Sequence, residues 1–226
     1  MDDTNKQIAE IILNNHFLLL VLERFGIKLG LQKKTIKEIC VEHNINLNAF
    51  IAICNLHINK EKIPELHLQL EDIKAIINYL KNTHDYYKTE VLPKLTEQIK
   101  SIIKNNNDLP FILIERFFEE YKEEVLKHLE YEETKVYPYA IDLISGNNKK
   151  TGYKIRNYKN HHDDIETKLL DLKNLLIKHI PVKNDQIFRR NLLFELFRFE
   201  KDLRIHTIIE ENILVPAIEK IENKNL

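Results

Sequence analysis

The feature that most constrains the fold is a helical spacing of apolar residues that persists through four long segments. These run from about residue 70 to 104, 110 to 145, 153 to 179 and 185 to 222, with short polar stretches between them. Apolar positions recur in steps of three and four, the period of an amphipathic α-helix. Only four glycines and six prolines occur in 226 residues, so turns must be few and helices long. The pattern predicts an all-α protein.

The segments differ in length and imply two domains. Short connections between long helices predict antiparallel neighbours, and hence an up-down antiparallel four-helix bundle over residues 66–226. Before it, glycines bracket the turn "GIKLG", Thr35 resembles a helix N-cap, and the stretch around Pro64 has linker character. Residues 1–65 are therefore predicted to form a small N-terminal domain of three short helices.

Charge and composition argue against several classes of partner. The 34 basic and 35 acidic residues give a net charge of -1. This balance lacks the excess of positive charge that is typical of proteins that bind nucleic acid or an anionic membrane. No run of about 18 apolar residues is present, so no membrane span is predicted. The N-terminus lacks a basic start and a cleavage site, and Cys40 and Cys54 have no metal or redox spacing. We expect a cytoplasmic protein.

Histidines interrupt all four apolar stripes, and glutamates interrupt two of them. The stretches "HLEYEETKVYP" (128–138) and "HTIIEENILVP" (206–216) both read H-x-x-x-E-E-x-x-x-x-P. Residues four apart share a helix face, so each histidine lies beside its glutamate. In an antiparallel bundle the polar positions fall in one layer, about 14 to 24 Å from one end. Six polar residues share the helical phase of the buried apolar positions and are expected to face the core together: His84, His128, Glu132, His162, His206 and Glu210.

These six side chains have the composition of a metal site. Burying Glu132 and Glu210 without partners would cost several kcal/mol or force the carboxyls to protonate. Mixed nitrogen and oxygen ligands suit iron or manganese, and carboxylates can bridge two ions. The set contains no cysteine, which argues against an iron–sulfur cluster or structural zinc. The alternative is that each residue is a satisfied polar group in the core.

Some neighbouring polar residues lie beside the stripes rather than in them. His161 is about 100° from His162 on a helix and is expected at the edge. We expect solvated positions, or roles as hydrogen-bond partners of the ligands, for Glu133, Glu166 and Glu211.

The ligand segments resemble the hemerythrin-like, or HHE cation-binding, proteins. More narrowly, "YLKNTHDYYKTEVLPKL", "HLEYEETKVYP", "NHHDDIETKLL" and "HTIIEENILVP" resemble the di-iron proteins called Repair of Iron Centers. This resemblance implies a four-helix bundle that holds two iron ions in an oxo- and carboxylate-bridged centre. Transferred residue by residue, the family's ligands fall on His84, His128, Glu132, His162, His206 and Glu210. The resemblance also implies repair of iron–sulfur clusters after nitrosative and oxidative damage.

Two departures from the family patterns affect the expected function. Oxygen-carrying hemerythrins have two histidines on the third helix and His-x-x-x-x-Asp on the fourth, whereas Glu166 and Glu210 stand here four residues after histidines. A more open iron pair is therefore expected, and dioxygen transport is not. The related N-terminal domain usually carries a Cys-Cys pair, but its turn reads "KLGLQ" here. Cys40 and Cys54 lie on predicted helices, where we expect burial rather than reactivity.

Three functional hypotheses follow. The first is a cytoplasmic di-iron stress-response protein that binds nitric oxide or dioxygen, has iron–sulfur proteins as clients, and forms a homodimer. The second is a gas or redox sensing module that signals to a protein partner without repair activity. The third is a bundle that has lost its metal and serves only interaction. Whether the chain is an enzyme is left open.

Overall fold

The computed structural model describes residues 4–59, 68–104, 109–147, 153–161, 165–180 and 186–224. Apart from one isolated bridge between Gln7 and Thr35, the regular structure in these residues is helical. The fold is therefore all-α, as predicted. Its α-helices are α1 (Ile8–Asn14), α2 (Leu18–Arg24), α3 (Ile36–Glu42), α4 (Leu47–Asn59), α5 (Leu70–Tyr86), α6 (Leu92–Lys104), α7 (Leu109–Tyr131), α8 (Tyr137–Ile144), α9 (Ile165–Asn174), α10 (Gln186–Ile209) and α11 (Val215–Lys224).

Three pairs of these helices are continuous because a π-helical turn joins the members of each pair. Tyr87–Val91 joins α5 to α6, Glu132–Val136 joins α7 to α8, and Glu210–Leu214 joins α10 to α11. A fourth π turn, Leu175–His179, follows α9. The three continuous helices confirm the first, second and fourth long helices expected from the sequence.

The third long helix is shorter than predicted. In place of an α-helix from residue 153, the chain forms a 3₁₀ helix over Ile155–His161, and α9 begins at Ile165. A 3₁₀ helix has three residues per turn, so Ile155 and Tyr158 lie on one side, and both are buried. The prediction that Ile155 and Tyr158 face the core was therefore correct. The predicted helix type was wrong, because a spacing of three residues fits a 3₁₀ helix as well as an α-helix.

Residues 4–59 contain four short helices instead of three, because the stretch before Gly26 is divided at Asn15. The backbone of Asn15 is extended, with φ -147°, and its side-chain amide donates to the carbonyl of His57 at 3.0 Å. Thr35 caps α3 as expected: its hydroxyl accepts from the Glu38 amide at 3.2 Å. The predicted boundary at residue 65 lies outside the described residues, so the domain division remains a prediction.

The described residues pack into two compact units. The first contains residues 1–83, 140–150 and 205–226. Inside it, a buried polar group connects the N-terminal helices to α5: the Tyr79 hydroxyl lies 3.2 Å from an Arg24 guanidinium nitrogen and 3.1 Å from Nε2 of His57. The Asn82 amide also donates to the carbonyl of Arg24 at 2.6 Å. Helices α2, α4 and α5 are thereby joined by hydrogen bonds as well as by apolar contact.

The second unit contains residues 84–139 and 151–204 and has a core shared by α6, α7, α9 and α10. The buried apolar residues of this core include Leu95, Phe118, Leu172 and Leu196, one from each helix. Four helices around one hydrophobic core form a helical bundle.

Contacts within this unit define helix direction. The guanidinium of Arg189, at the start of α10, donates to the carbonyls of Leu176 and Ile180 beyond the end of α9. Lys173, earlier on α9, pairs with Glu200, later on α10. Since the residue numbers rise on one helix as they fall on the other, α9 and α10 are antiparallel.

Candidate metal centre

Glu132 is a fully buried carboxylate with three polar neighbours in its own unit. Nε2 of His128, one helical turn earlier, lies 3.0 Å from Oε1. The Tyr158 hydroxyl donates to the same oxygen at 2.9 Å, and Nε2 of His84 lies 3.2 Å from Oε2. The i, i+4 spacing seen in the sequence therefore places His128 against Glu132, and α5 contributes a second imidazole.

A second carboxylate fixes the other side of the His84 ring. Nδ1 of His84 lies 2.9 Å from the Glu133 carboxylate, and the Lys88 ammonium lies 2.5 Å from the same oxygen. The hydrogen bond from His84, together with Lys88, holds the pKa of Glu133 at about 2, well below its usual value. A carboxylate on one imidazole nitrogen sets the ring orientation and leaves the other nitrogen available as a ligand. Lys88 and Glu133 thus direct Nε2 of His84 toward Glu132.

His206 and Glu210 repeat the arrangement of His128 and Glu132. Both are buried, and Nε2 of His206 lies 3.2 Å from Glu210 Oε2. Each glutamate is the first residue of a π turn, and each histidine lies in the last turn of the preceding α-helix. π turns occur frequently at functional sites. The repeated sequence motif therefore corresponds to a repeated local structure.

Four of the six predicted ligand residues form one buried cluster. His84, Glu132, His206 and Glu210 each offer a ligand atom, and these atoms all lie within 4.8 Å of one another. His128 contacts Glu132, whereas His162 lies outside the described residues. The side chain of His161 is likewise outside the described part, and Glu166 and Glu211 are exposed.

The chemistry of this donor set fits a cation. Two buried carboxylates in one cluster repel each other when ionised, and desolvation adds several kcal/mol per charge. Two imidazoles and two carboxylates supply the mixed nitrogen and oxygen ligands that first-row transition metals accept, and a bound divalent ion would offset the negative charge. The residues that would hold it are His84, Glu132, His206 and Glu210.

Two tyrosines at the cluster were missed as functional residues in the sequence. The Tyr137 hydroxyl lies 3.1 Å from Nε2 of His84, and the Tyr158 hydroxyl donates to Glu132. Both rings are buried. In the sequence their spacing is that of ordinary core residues. The one indication of a further role is that a buried phenol hydroxyl needs a hydrogen-bond partner.

The sequence of the chain matches the model of a known protein family. Residues 75–218, well over half of the chain, match the hemerythrin HHE cation binding domain. The chain belongs to this hemerythrin family. It has no significant match among curated proteins. The matched range contains all four residues of the cluster, and the buried donor set agrees with the cation binding that the family's description names. The coarser part of the resemblance seen in the sequence is thereby confirmed.

Other expectations for this hemerythrin can also be compared with its structure. Within the described residues no helix combines the length and apolarity needed to cross a membrane. Cys40 and Cys54 are buried free thiols, as expected from their helical positions. Burial raises the pKa of Cys40 to about 11 and that of Cys54 further still. Both side chains therefore remain protonated thiols, which are poor nucleophiles.

The contacts of His84 predict that Glu133 and Lys88 control metal affinity without binding the metal. Glu133→Gln and Lys88→Met should each weaken metal binding by about 10- to 100-fold, because the imidazole loses its orienting partner. Competition with a chromophoric chelator measures this directly. Glu130→Gln, an exposed glutamate on the same helix, is the matched control. Unchanged affinity in both variants would contradict this role.

The lowered pKa of Glu133 predicts a pH-dependent contribution to stability. The folded-state pKa is about 2 and the ordinary value is 4.5, so the stabilisation is present above pH ~4.5 and is lost as the pH falls toward ~2. We therefore expect the free energies of unfolding of metal-free wild type and Glu133→Gln to become more similar as the pH falls from ~5. Urea unfolding at a series of pH values measures this difference. A difference that stays constant over this range would show that the carboxylate charge contributes nothing.

Proposed function

We propose that this hemerythrin-family chain is a non-haem di-iron protein of the stress response. His84, His128, His162 and His206 would be terminal ligands, and Glu132 and Glu210 would bridge two irons. The observation that carries the proposal is the buried cluster of two histidines and two glutamates. His128 adds a third imidazole through its contact with Glu132. His162 enters on its sequence position alone.

The surroundings of the cluster favour a small ligand. All four of its side chains are buried, so a bulky substrate has no direct access to the ligand atoms. Iron held there would supply a redox-active Lewis acid with positions for nitric oxide or dioxygen. Tyr158 would hold Glu132 in place, and Tyr137 would offer a hydroxyl beside the ligand nitrogen of His84.

The client of the protein is proposed to be a damaged iron–sulfur protein in the cytoplasm. Support comes from the resemblance of the four ligand segments to the Repair of Iron Centers proteins, together with membership of the cation-binding family. Buried thiols with raised pKa values argue against any repair step that uses Cys40 or Cys54. In this proposal the chain contributes iron and its ligands, and the thiol chemistry is left to the client.

A specific contact favours the alternative of a sensing module. Tyr79 lies on α5, the helix that also carries His84, and its hydroxyl contacts Arg24 of α2 and His57 of α4. A shift of α5 on ligand binding would therefore be transmitted to the N-terminal helices. Such a displacement would alter the surface offered to a protein partner without any repair reaction.

Repair and sensing predict different outcomes in one assay. Iron-loaded protein is added to an iron–sulfur hydratase inactivated by nitric oxide, and hydratase activity is followed. Under the repair proposal activity returns, and an equal amount of Glu132→Gln protein, which has lost one carboxylate ligand, restores much less. Binding of nitric oxide without recovery would contradict repair. In that case, protection of α2 and α4 from hydrogen exchange on gas binding, abolished by Tyr79→Phe, would identify a sensor.

A further inference from the structure

The second unit contains five tyrosines that lead from its ligand residues toward the surface. They are more than half of the nine tyrosines in the chain, which contains no tryptophan. A phenol can give up one electron together with its hydroxyl proton, which most side chains cannot do. We call Tyr137 and Tyr158 the inner tyrosines, and Tyr131, Tyr139 and Tyr153 the outer tyrosines.

The inner tyrosines contact the ligand residues directly. The Tyr158 hydroxyl donates to Oε1 of Glu132 at 2.9 Å, and the Tyr137 hydroxyl lies 3.1 Å from Nε2 of His84. The rings of Tyr137 and His84 are also in contact, with centroids 5.4 Å apart. Both tyrosines are no more than 1% exposed. Their hydroxyl groups are therefore within reach of chemistry at the cluster, whereas a reductant in solution cannot touch them.

The outer tyrosines contact one another at the edge of the unit. The hydroxyls of Tyr131 and Tyr153 are 3.2 Å apart, and the ring centroids of Tyr139 and Tyr153 are 4.9 Å apart. All three residues are half-buried, so solvent reaches part of each. A hydrogen bond between two phenols provides a path for a hydrogen atom, because a phenol and a phenoxyl radical can exchange roles with no other change.

The two sets are close along the backbone. Tyr131 is the last residue of α7 and immediately precedes Glu132, which accepts the hydrogen bond from Tyr158. Tyr153 lies five residues before Tyr158, a separation of at most about 18 Å even if that stretch were fully extended. An inner tyrosine is thus joined to the outer ones through two different segments of the chain.

We propose that the five tyrosines form a redox relay that carries oxidising equivalents from the metal centre to the surface. The relay rests on the proposed function, because it requires redox-active iron at the cluster. The oxidant is hydrogen peroxide. Its O–O bond breaks as it takes two electrons and two protons from two phenols, and two waters and two phenoxyl radicals form. Each inner phenoxyl then takes one electron and one proton from an outer phenol.

A small thiol from solution completes the reaction at the outer tyrosines. Each outer phenoxyl takes one hydrogen atom from a thiol and becomes a phenol again, and the two thiyl radicals combine into a disulfide. The thiols of the chain itself do not serve this purpose, since Cys40 and Cys54 are buried in the first unit. The relay therefore removes oxidising equivalents before they modify the ligand residues.

Radical trapping on full-length, iron-loaded protein tests the relay. With hydrogen peroxide and a nitroso spin trap, peptide mass spectrometry should find adducts on Tyr139 and Tyr153, and only background labelling in metal-free protein. Tyr153→Phe keeps a ring beside Tyr139 but removes the hydroxyl that contacts Tyr131. Labelling of Tyr139 should therefore fall to the level of metal-free protein. Glutathione added with the peroxide should suppress the adducts of wild type and be converted to its disulfide.

Tyr121→Phe is the matched control and should leave the labelling unchanged. Tyr121 is a buried tyrosine of the same unit, and its hydroxyl has no hydrogen-bond partner among the residues that the structure describes. The iron content and circular dichroism of every variant are measured first, so that loss of iron or of folding is not mistaken for loss of the relay.

Three results would overturn the relay while the iron site stands. These are equal labelling with and without iron, undiminished labelling of Tyr139 in Tyr153→Phe, and a phenoxyl signal in freeze-quenched electron paramagnetic resonance without adducts on the outer tyrosines. A chain that retains no iron would overturn the proposed function and the relay together.

Discussion

The contact of the buried Glu132 carboxylate with two imidazoles and a phenol is the interaction on which the site depends. Its two oxygens lie within 3.2 Å of polar atoms from His84, His128 and Tyr158. A carboxylate removed from water needs such partners, because an unpaired buried charge costs several kcal/mol. Glu132 therefore joins α5, α7 and the 3₁₀ helix through polar contacts. The same residues supply nitrogen and oxygen donors of the kind that transition-metal cations accept.

π turns lie at or close to the ligand residues in this arrangement. Glu132 and Glu210 each begin a π turn, and a third π turn begins three residues after His84. One extra residue in a turn rotates the following positions by about 100° relative to an α-helix. This local change accompanies the contact of Glu133 with His84 instead of solvent. The ligand pairs themselves precede the extra residue, which preserves their i, i+4 relation.

Much of the fold and part of the site could be predicted from the sequence, because helical phase governs burial. The stripes correctly identified His84, His128, Glu132, His206 and Glu210 as buried polar residues. Phase could not predict hydrogen bonds between helices, such as Tyr158 to Glu132, since those depend on interhelix distances. Nor could it distinguish the 3₁₀ helix at Ile155–His161 from an α-helix, because a spacing of three fits both. The π turns were missed because no residue type requires them.

The measurement that tests the central claim most directly is the metal content of the chain after anaerobic loading with ferrous iron. Wild type and Glu132→Gln are loaded and desalted in parallel, with Glu130→Gln as the control for an exposed carboxylate on the same helix. The account predicts about two irons per chain in wild type and control, as in di-iron carboxylate bundles, and a clear loss in Glu132→Gln. Wild type that retains no metal, or a Glu132→Gln variant that retains as much as wild type, would contradict it.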